Sequence, residues 1–207
     1  MTYLELVNDF LIETGMEDPI ATVTGQIDDG GQAVQWVRDA WTEIQRGEKW
    51  AFRWAEGSFD TVPGQKLYSP ANAGDTFDRT AFFNQSTKIP MLIGDYSELK
   101  YRDDEGEPTM VSIRPDRKLS LYYVPNDVYT IDYAYWAAPT ALLDDGDIPS
   151  IDPSYHKAIV WKAITNYARE QGKEWNGLYV AANREYNSIY SDMLIEHLPP
   201  FLGKVPL

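Results

Sequence analysis

Amphipathic helical patterns at both ends of the chain constrain its fold more than any other feature. Apolar residues recur there every three or four positions, which is the spacing of one face of an α-helix. The two N-terminal stripes are Tyr3, Leu6, Val7, Phe10 and Leu11, followed by Val34, Val37, Trp41 and Ile44. A helix with a single apolar stripe is not stable alone, so each stripe must be buried against another element.

Two further helices are predicted between Ser150 and Leu198. Asp152 and Pro153 form a start signal, Gly172 interrupts the pattern, and the chain then continues in helical register until Pro199-Pro200. The predicted buried positions are Val160, Ala163, Ile164, Tyr167 and Ala168, followed by Leu178, Ala182, Tyr186, Ile189 and Met193. These stripes match the N-terminal ones, which predicts a bundle built from both ends of the chain.

The ends of the N-terminal helices are marked by local signals. Thr2 followed by Glu5 has the pattern of a capping box, and Gly15 is a stop signal. A loop holding Pro19, Gly25, Asp28, Asp29, Gly30 and Gly31 is expected next. The second helix is then predicted over 32–46.

The middle of the chain changes to strand and turn patterns. Trp50 to Trp54 is predicted as the first strand, and Asp95 as the cap of a short helix over 96–102. Segments 110–114, 119–123 and 129–136 alternate apolar and polar residues, which predicts a three-stranded antiparallel meander. The expected fold class is α+β, with a helical bundle (1–49 and 150–198), a β-rich antiparallel insertion (50–149) and a C-terminal tail (199–207).

Composition excludes several classes of function. A net charge of −14 argues against direct binding of nucleic acid, because phosphate backbones are bound by clustered lysine and arginine. The lack of cysteine excludes disulfides and thiolate metal sites. His156 and His197 lie on separate predicted helices, and Asp144-Asp145-Gly146-Asp147 is only a fragment of a calcium loop, so we expect a solvated loop there. We find no catalytic motif, secretory signal or membrane span, and predict no enzyme activity, no metal, no cofactor and no membrane contact.

Aromatic residues make up 14% of the chain and supply the candidate interaction sites. Tyr and Trp suit surfaces that are part apolar and part hydrogen-bonded. The candidates for protein interfaces are Trp54, Tyr122, Tyr129, Tyr133 and Trp136. Core packing is the competing interpretation for the tyrosines, and a sugar-stacking face is an alternative for the tryptophans near 50–54 and 136.

The C-terminal tail is apolar and carries one lysine, without helical or strand periodicity. Such a segment lowers solubility unless it docks on a surface. The candidate contact residues are Leu198, Phe201, Leu202, Lys204, Val205 and Leu207. Docking on the chain's own domain and docking on a partner both remain open at this point.

Both helical ends resemble the phage adaptor, or head-to-tail connector, family. The similar stretches are 1–15, 34–45 and 153–160, together with Tyr167-Ala168. The β-rich middle is similar in character and not in motif, and none of the shared motifs encodes chemistry. The resemblance therefore concerns fold and architecture.

The resemblance implies a homo-oligomeric ring, usually of twelve copies, in the neck of the virion. The expected partners are the portal protein, which the segment from Leu198 to Leu207 would contact, and a tail or neck protein below. DNA would pass through the channel without specific binding, and assembly would take place in the host cytoplasm. The alternative function is a carbohydrate-binding or tail-tip recognition module of a virion.

Overall fold

The predicted order of helices at both ends and strands between them is confirmed by the computed structural model of the chain, which describes residues 1–16, 18–70 and 76–198. The fold class is α+β. The chain divides into two compact units, Met1–Arg53 with Pro139–Leu207, and Trp54–Ala138. In the described part of the chain, no helix has the length and apolar character needed to span a membrane.

The first unit is helical. Its long helices are α1 (Tyr3–Thr14), α2 (Asp28–Gly47), α4 (His156–Gln171) and α5 (Asn176–His197), while α3 (Tyr96–Leu99) belongs to the second unit. Short 3-10 turns at Ala51–Arg53, Pro153–Tyr155 and Lys173–Trp175 adjoin these helices. Helix α4 packs against α1, α2 and α5 and so lies at the centre of the unit.

The predicted apolar stripes form the core of this unit. Every stripe residue named for α1, α2 and α4 is buried. On α5, by contrast, only Ala182 and Met193 are buried, and the other three stripe residues are half-buried. Helix α5 therefore covers the bundle with one narrow face and leaves most of its surface exposed.

Local signals set most helix ends as predicted, although α3 ends at Leu99 and not at the predicted residue 102. The Thr2 and Glu5 capping box is present, Gly15 ends α1 in the left-handed conformation with φ 66°, and Asp152 caps the turn before α4. Helix α2, however, begins at Asp28, four positions before the predicted start. Asp28 and Asp29 lie in the first turn, where a negative charge interacts favourably with the helix dipole. The helix therefore includes Gly30 and Gly31, which were predicted to lie in the preceding loop.

Two segments that the sequence placed in the insertion pack within the helical unit. Trp50 is fully buried there, and residues 51–53 form a turn and not the predicted first strand. In the 139–149 loop, Leu142 is buried and the carbonyls of Asp147 and Asp145 accept the N–H groups of Tyr3 and Leu4. The loop thus satisfies backbone donors at the start of α1.

The second unit is built from strands. They are β1 (Trp54–Asp60), β2 (Leu67–Tyr68), β3 (Thr76–Asn84), β4 (Ile89–Pro90), β5 (Leu92–Ile93), β6 (Glu105–Gly106), β7 (Met110–Ile113), β8 (Leu119–Tyr122), β9 (Val124–Pro125) and β10 (Thr130–Trp136). Two four-stranded sheets have the orders β1-β10-β3-β4 and β2-β8-β7-β5, and β6 pairs with β9. Buried side chains from both four-stranded sheets share one core.

The predicted three-stranded meander is wrong in its last strand. Strands β7 and β8 pair antiparallel, as expected, but β10 pairs with β1 and β3 in the other sheet. Between them, β9 leaves the ladder to pair with β6. Alternation of apolar and polar residues determines which face of a strand is buried, and it carries no information about the neighbouring strand.

Candidate interaction surfaces

The C-terminal contact candidates begin at the end of α5. Leu198 is half-buried against the helical core, and its N–H donates to the carbonyl of Leu194 at 3.4 Å. The Tyr155 hydroxyl donates to the Glu196 carboxylate and joins the start of α4 to the end of α5. Five other candidates, Phe201, Leu202, Lys204, Val205 and Leu207, lie outside the described residues.

Two of the five aromatic interface candidates are core residues. Tyr133 and Trp136 have 3% and 7% of their surface exposed. The Tyr133 ring contacts Phe77 and Phe82, and burial raises the pKa of its hydroxyl. Core packing is therefore the role that the structure shows for Tyr133, since a side chain this buried has little surface to offer a partner.

The other three aromatic candidates reach solvent. Trp54 is 43% exposed at the start of β1. Tyr122 is half-buried, stacks on the ring of Tyr123 with 4.2 Å between centroids, and carries the guanidinium of Arg102 5.6 Å above its ring. The half-buried Tyr129 donates its hydroxyl to the side chain of Asn126 at 2.8 Å. These side chains are held in place by neighbours and still offer surface.

The tryptophans do not form the shared sugar-stacking face that the alternative function requires. Trp50 is fully buried, stacks on Phe52 and donates its indole N–H to the carbonyl of Ile44 at 2.6 Å. Trp136 is also buried, and only Trp54 of this group is substantially exposed. A flat face of adjacent exposed rings is therefore not formed by these residues.

Sequence reasoning missed several exposed apolar residues. Ile195 and Val180 on α5 are 83% and 57% exposed, and Tyr101 and Leu92 in the β unit are 81% and 65% exposed. The α5 pair could have been found, because both residues lie off the apolar stripe of that helix. Tyr101 and Leu92 carried no signal, because an apolar residue in a short irregular segment points inward or outward with equal ease.

The acidic loop 144–147 has structural roles. The Asp145 carboxylate accepts the N–H of Val23 at 2.6 Å and the hydroxyl of Thr22 at 3.1 Å. The Asp147 carboxylate accepts two N–H groups of its own loop, from Leu143 and Asp144, and these donors lower its pKa. The expected solvated loop is thus a hydrogen-bonded connection between three segments of the helical unit.

Neither histidine is placed as a metal ligand. His156 is fully buried, its Nε2 donates to the carbonyl of Ile151 at 3.1 Å, and its Nδ1 lies 2.6 Å from the amino nitrogen of Met1. His197 packs edge-on against Phe52 and Tyr155. Within the part of the chain that the structure describes, no three His, Asp or Glu side chains are grouped so that they could hold a metal ion.

Comparison with known proteins identifies the family. Residues 1–196 match the SU10 adaptor protein family, a family of phage head–tail adaptors, and no curated protein matches the chain. Because the match covers nearly the whole chain, the chain belongs to this family. It is a structural adaptor protein of a bacteriophage, and members of this class interact with other virion proteins in the neck.

Proposed function

We propose that this adaptor forms a ring beneath the portal, extends the channel through which DNA passes, and docks the next component of the tail. The match of residues 1–196 to the adaptor family carries the proposal. The architecture supports it, because a bundle of helices joined to a unit of strands offers two different surfaces for the two neighbours that an adaptor must connect.

The charge of the chain suits a channel that does not bind DNA. A ring of twelve copies would carry twelve times the net charge of −14. Acidic groups repel the phosphate backbone, and at physiological salt the repulsion is screened beyond about 8 Å. The polymer can therefore slide past such a wall without being held.

The end of α5 is proposed as the point where the chain leaves its bundle for the portal. Leu198 is held against the helical core, while the segment that follows it has four large apolar side chains and one lysine, with no acidic residue. An apolar segment attached to a rigid helix gains affinity by burying its side chains in a partner. The candidates Phe201, Leu202, Lys204, Val205 and Leu207 belong to this contact.

Contacts between copies in the ring are proposed to use exposed apolar and aromatic residues. Helix α5 offers Val180 and Ile195, and the β unit offers Trp54, Tyr122 and Tyr129. A ring needs a heterologous contact, in which one face meets a different face of the next copy. Each such contact must bury about 1,600 Å² in total and must also overcome repulsion between acidic subunits.

The proposal is tested with the purified chain and the portal protein of the same phage. Negative-stain images and mass photometry should show rings of this chain on the portal, with twelve copies as the expected number. A protein that stays monomeric in the presence of portal and is missing from purified virions would contradict it.

The portal contact has its own test. Deleting residues 202–207 should leave the circular dichroism spectrum and thermal unfolding of the chain unchanged and weaken its binding to the portal. The Glu185→Gln variant, which alters an exposed polar residue on α5 outside the proposed contacts, is the matched control for portal binding. If the deletion unfolds the chain, the tail is part of its own core.

A further inference from the structure

Strand β1 lies at the edge of the first four-stranded sheet. All seven of its residues are paired with β10, from Trp54 opposite Trp136 to Asp60 opposite Thr130. Among the described residues, no strand pairs with the other side of β1. A strand in this position presents a row of backbone donors and acceptors that a further strand can use.

The register shows which backbone groups face outward. The N–H of Thr61 donates to the carbonyl of Tyr129 at 2.8 Å, one step beyond the last pair of the ladder. Backbone groups of an antiparallel strand point alternately to one side and the other. Ala55, Gly57 and Phe59 therefore bond to β10, and the N–H and C=O groups of the remaining four residues, Trp54, Glu56, Ser58 and Asp60, face the free edge.

The side chains beside this edge are acidic. The four residues whose backbone faces outward are also the exposed ones, and two of them, Glu56 and Asp60, are carboxylates. Asp132 of β10 adds a third carboxylate opposite Ser58. A groove of about 620 Å³ on this face is lined in part by Glu56, Ser58 and Asp132.

Apart from its two carboxylates, strand β1 lacks the features that normally protect an edge. Natural edge strands are commonly blocked by lysine, by proline or by a bulge. The sequence Trp54-Ala55-Glu56-Gly57-Ser58-Phe59-Asp60 contains neither lysine nor proline, and its pairing with β10 is continuous. The edge is thus regular over seven residues and open to an added strand.

We propose that β1 accepts, as an added strand, an extended segment of another virion protein with lysine or arginine at alternate positions. Side chains directly opposite each other on paired strands lie about 4.5–5.5 Å apart, so basic residues would meet Glu56 and Asp60. Apolar residues between them would continue the core face next to Gly57 and Phe59. A second copy of β1 fits less well, because the two strands together would bring four carboxylates and no basic residue to the contact.

This surface is independent of ring formation and of the portal contact, and it can be tested on the isolated chain. Amide hydrogen exchange measured by NMR should be slow at Gly57 and Phe59 and fast at Glu56, Ser58 and Asp60. Equal protection of both sets in the monomer would overturn the proposal, because the edge would already be covered.

The binding test uses a blocked heptapeptide of alternating lysine and valine, at millimolar concentration. The peptide should slow exchange at Glu56, Ser58 and Asp60, and a peptide with glutamate at the lysine positions should not. The proposal would be overturned if the lysine peptide did not slow exchange at these amides. It would also be overturned if, without any peptide, exchange at these amides slowed as the protein concentration was raised. The second result would show pairing between copies.

A pair of variants separates strand addition from general attraction to an acidic protein. Ser58→Pro keeps every charge and every bond to β10 but removes an outward N–H, a change that edge strands tolerate. It should weaken peptide binding at least about tenfold, the ratio that corresponds to 1.4 kcal/mol. Ser58→Ala should stay within about twofold of the wild type, since the lost hydroxyl is exposed. Equal binding by both variants would overturn strand addition.

Discussion

Trp50 is the residue whose replacement most directly tests how the aromatic segment 50–54 is divided between core and surface. Its side chain is fully buried in the helical unit, stacks on Phe52, contacts the Tyr190 ring edge-on at 5.6 Å between centroids, and donates to the Ile44 carbonyl. Trp54, four residues later, is 43% exposed. The two tryptophans should therefore respond very differently to the same substitution.

Truncation of Trp50 removes apolar contacts and leaves a cavity. Replacing a buried tryptophan by alanine costs about 3–5 kcal/mol. This is a large part of the 5–15 kcal/mol that typically holds a folded protein together. Trp50→Phe keeps much of the ring contact and leaves the Ile44 carbonyl without this donor, so it should cost about 1–3 kcal/mol. Trp54→Ala should cost less than half of the loss from Trp50→Ala, because much of its ring already contacts water.

Urea unfolding followed by circular dichroism at 222 nm measures these differences without using tryptophan fluorescence. With an m-value of about 2 kcal/mol/M, Trp50→Ala should lower the urea midpoint by about 1.5–2.5 M. If Trp50→Ala shifts the midpoint less than Trp54→Ala does, the placement of Trp50 in the core is wrong.

Three further perturbations test the packing of single sites. In Gly57→Ala, the added Cβ would lie 2.7 Å from the Tyr133 ring, so urea unfolding should show a loss of about 1–3 kcal/mol; an unchanged midpoint would contradict this packing. Burial lowers the pKa of His156 in the folded chain below the 6.5 of an unfolded chain. As the pH drops below 6.5, the unfolded chain takes up the proton first, so the free energy of unfolding should fall until the pH reaches the folded pKa. Above pH 6.5 this histidine should cause no loss of stability. His156→Gln should lose this part of the pH dependence in urea midpoints measured from pH 7.5 to 5.5, and a retained slope would refute it. The Lys66 ammonium donates to three backbone carbonyls and to one carboxylate, so Lys66→Met should speed amide hydrogen exchange over residues 99–103. Lys118 is exposed, and Lys118→Met should leave exchange in this segment unchanged. Equal effects of the two variants would refute the role of Lys66.

Local sequence signals predicted the helices well because each depends on neighbouring residues. The stripe Val34, Val37, Trp41 and Ile44 is buried, Gly15 ends α1, and Asp152 caps the turn before α4. Helical spacing places residues three and four apart on one face whatever the rest of the chain does. The same periodicity could not reveal that α5 would bury so little of its surface, because that depends on the size of the partner face.

The candidate site was predicted less well, because exposure is a property of packing. Trp50, Trp54 and Trp136 are equivalent as aromatic residues in strand-like sequence, yet two are buried and one is substantially exposed. Tyr133 and Tyr122 lie in similarly alternating segments, but Tyr133 is in the core and Tyr122 is half-buried. Composition indicated a surplus of aromatic residues and could not assign each to the core or to a surface.

The sequence by itself determined the order of helices and strands, most of the helix ends, the acidic charge and the resemblance to phage adaptors. Only the tertiary structure decided that β10 joins β1 and β3, that the 139–149 loop caps α1, and that β1 is left at the edge of its sheet. This difference between what the sequence determined and what the tertiary structure decided has a physical cause. Periodicity and capping act over a few residues, whereas strand partners are chosen by contacts between residues far apart in the chain.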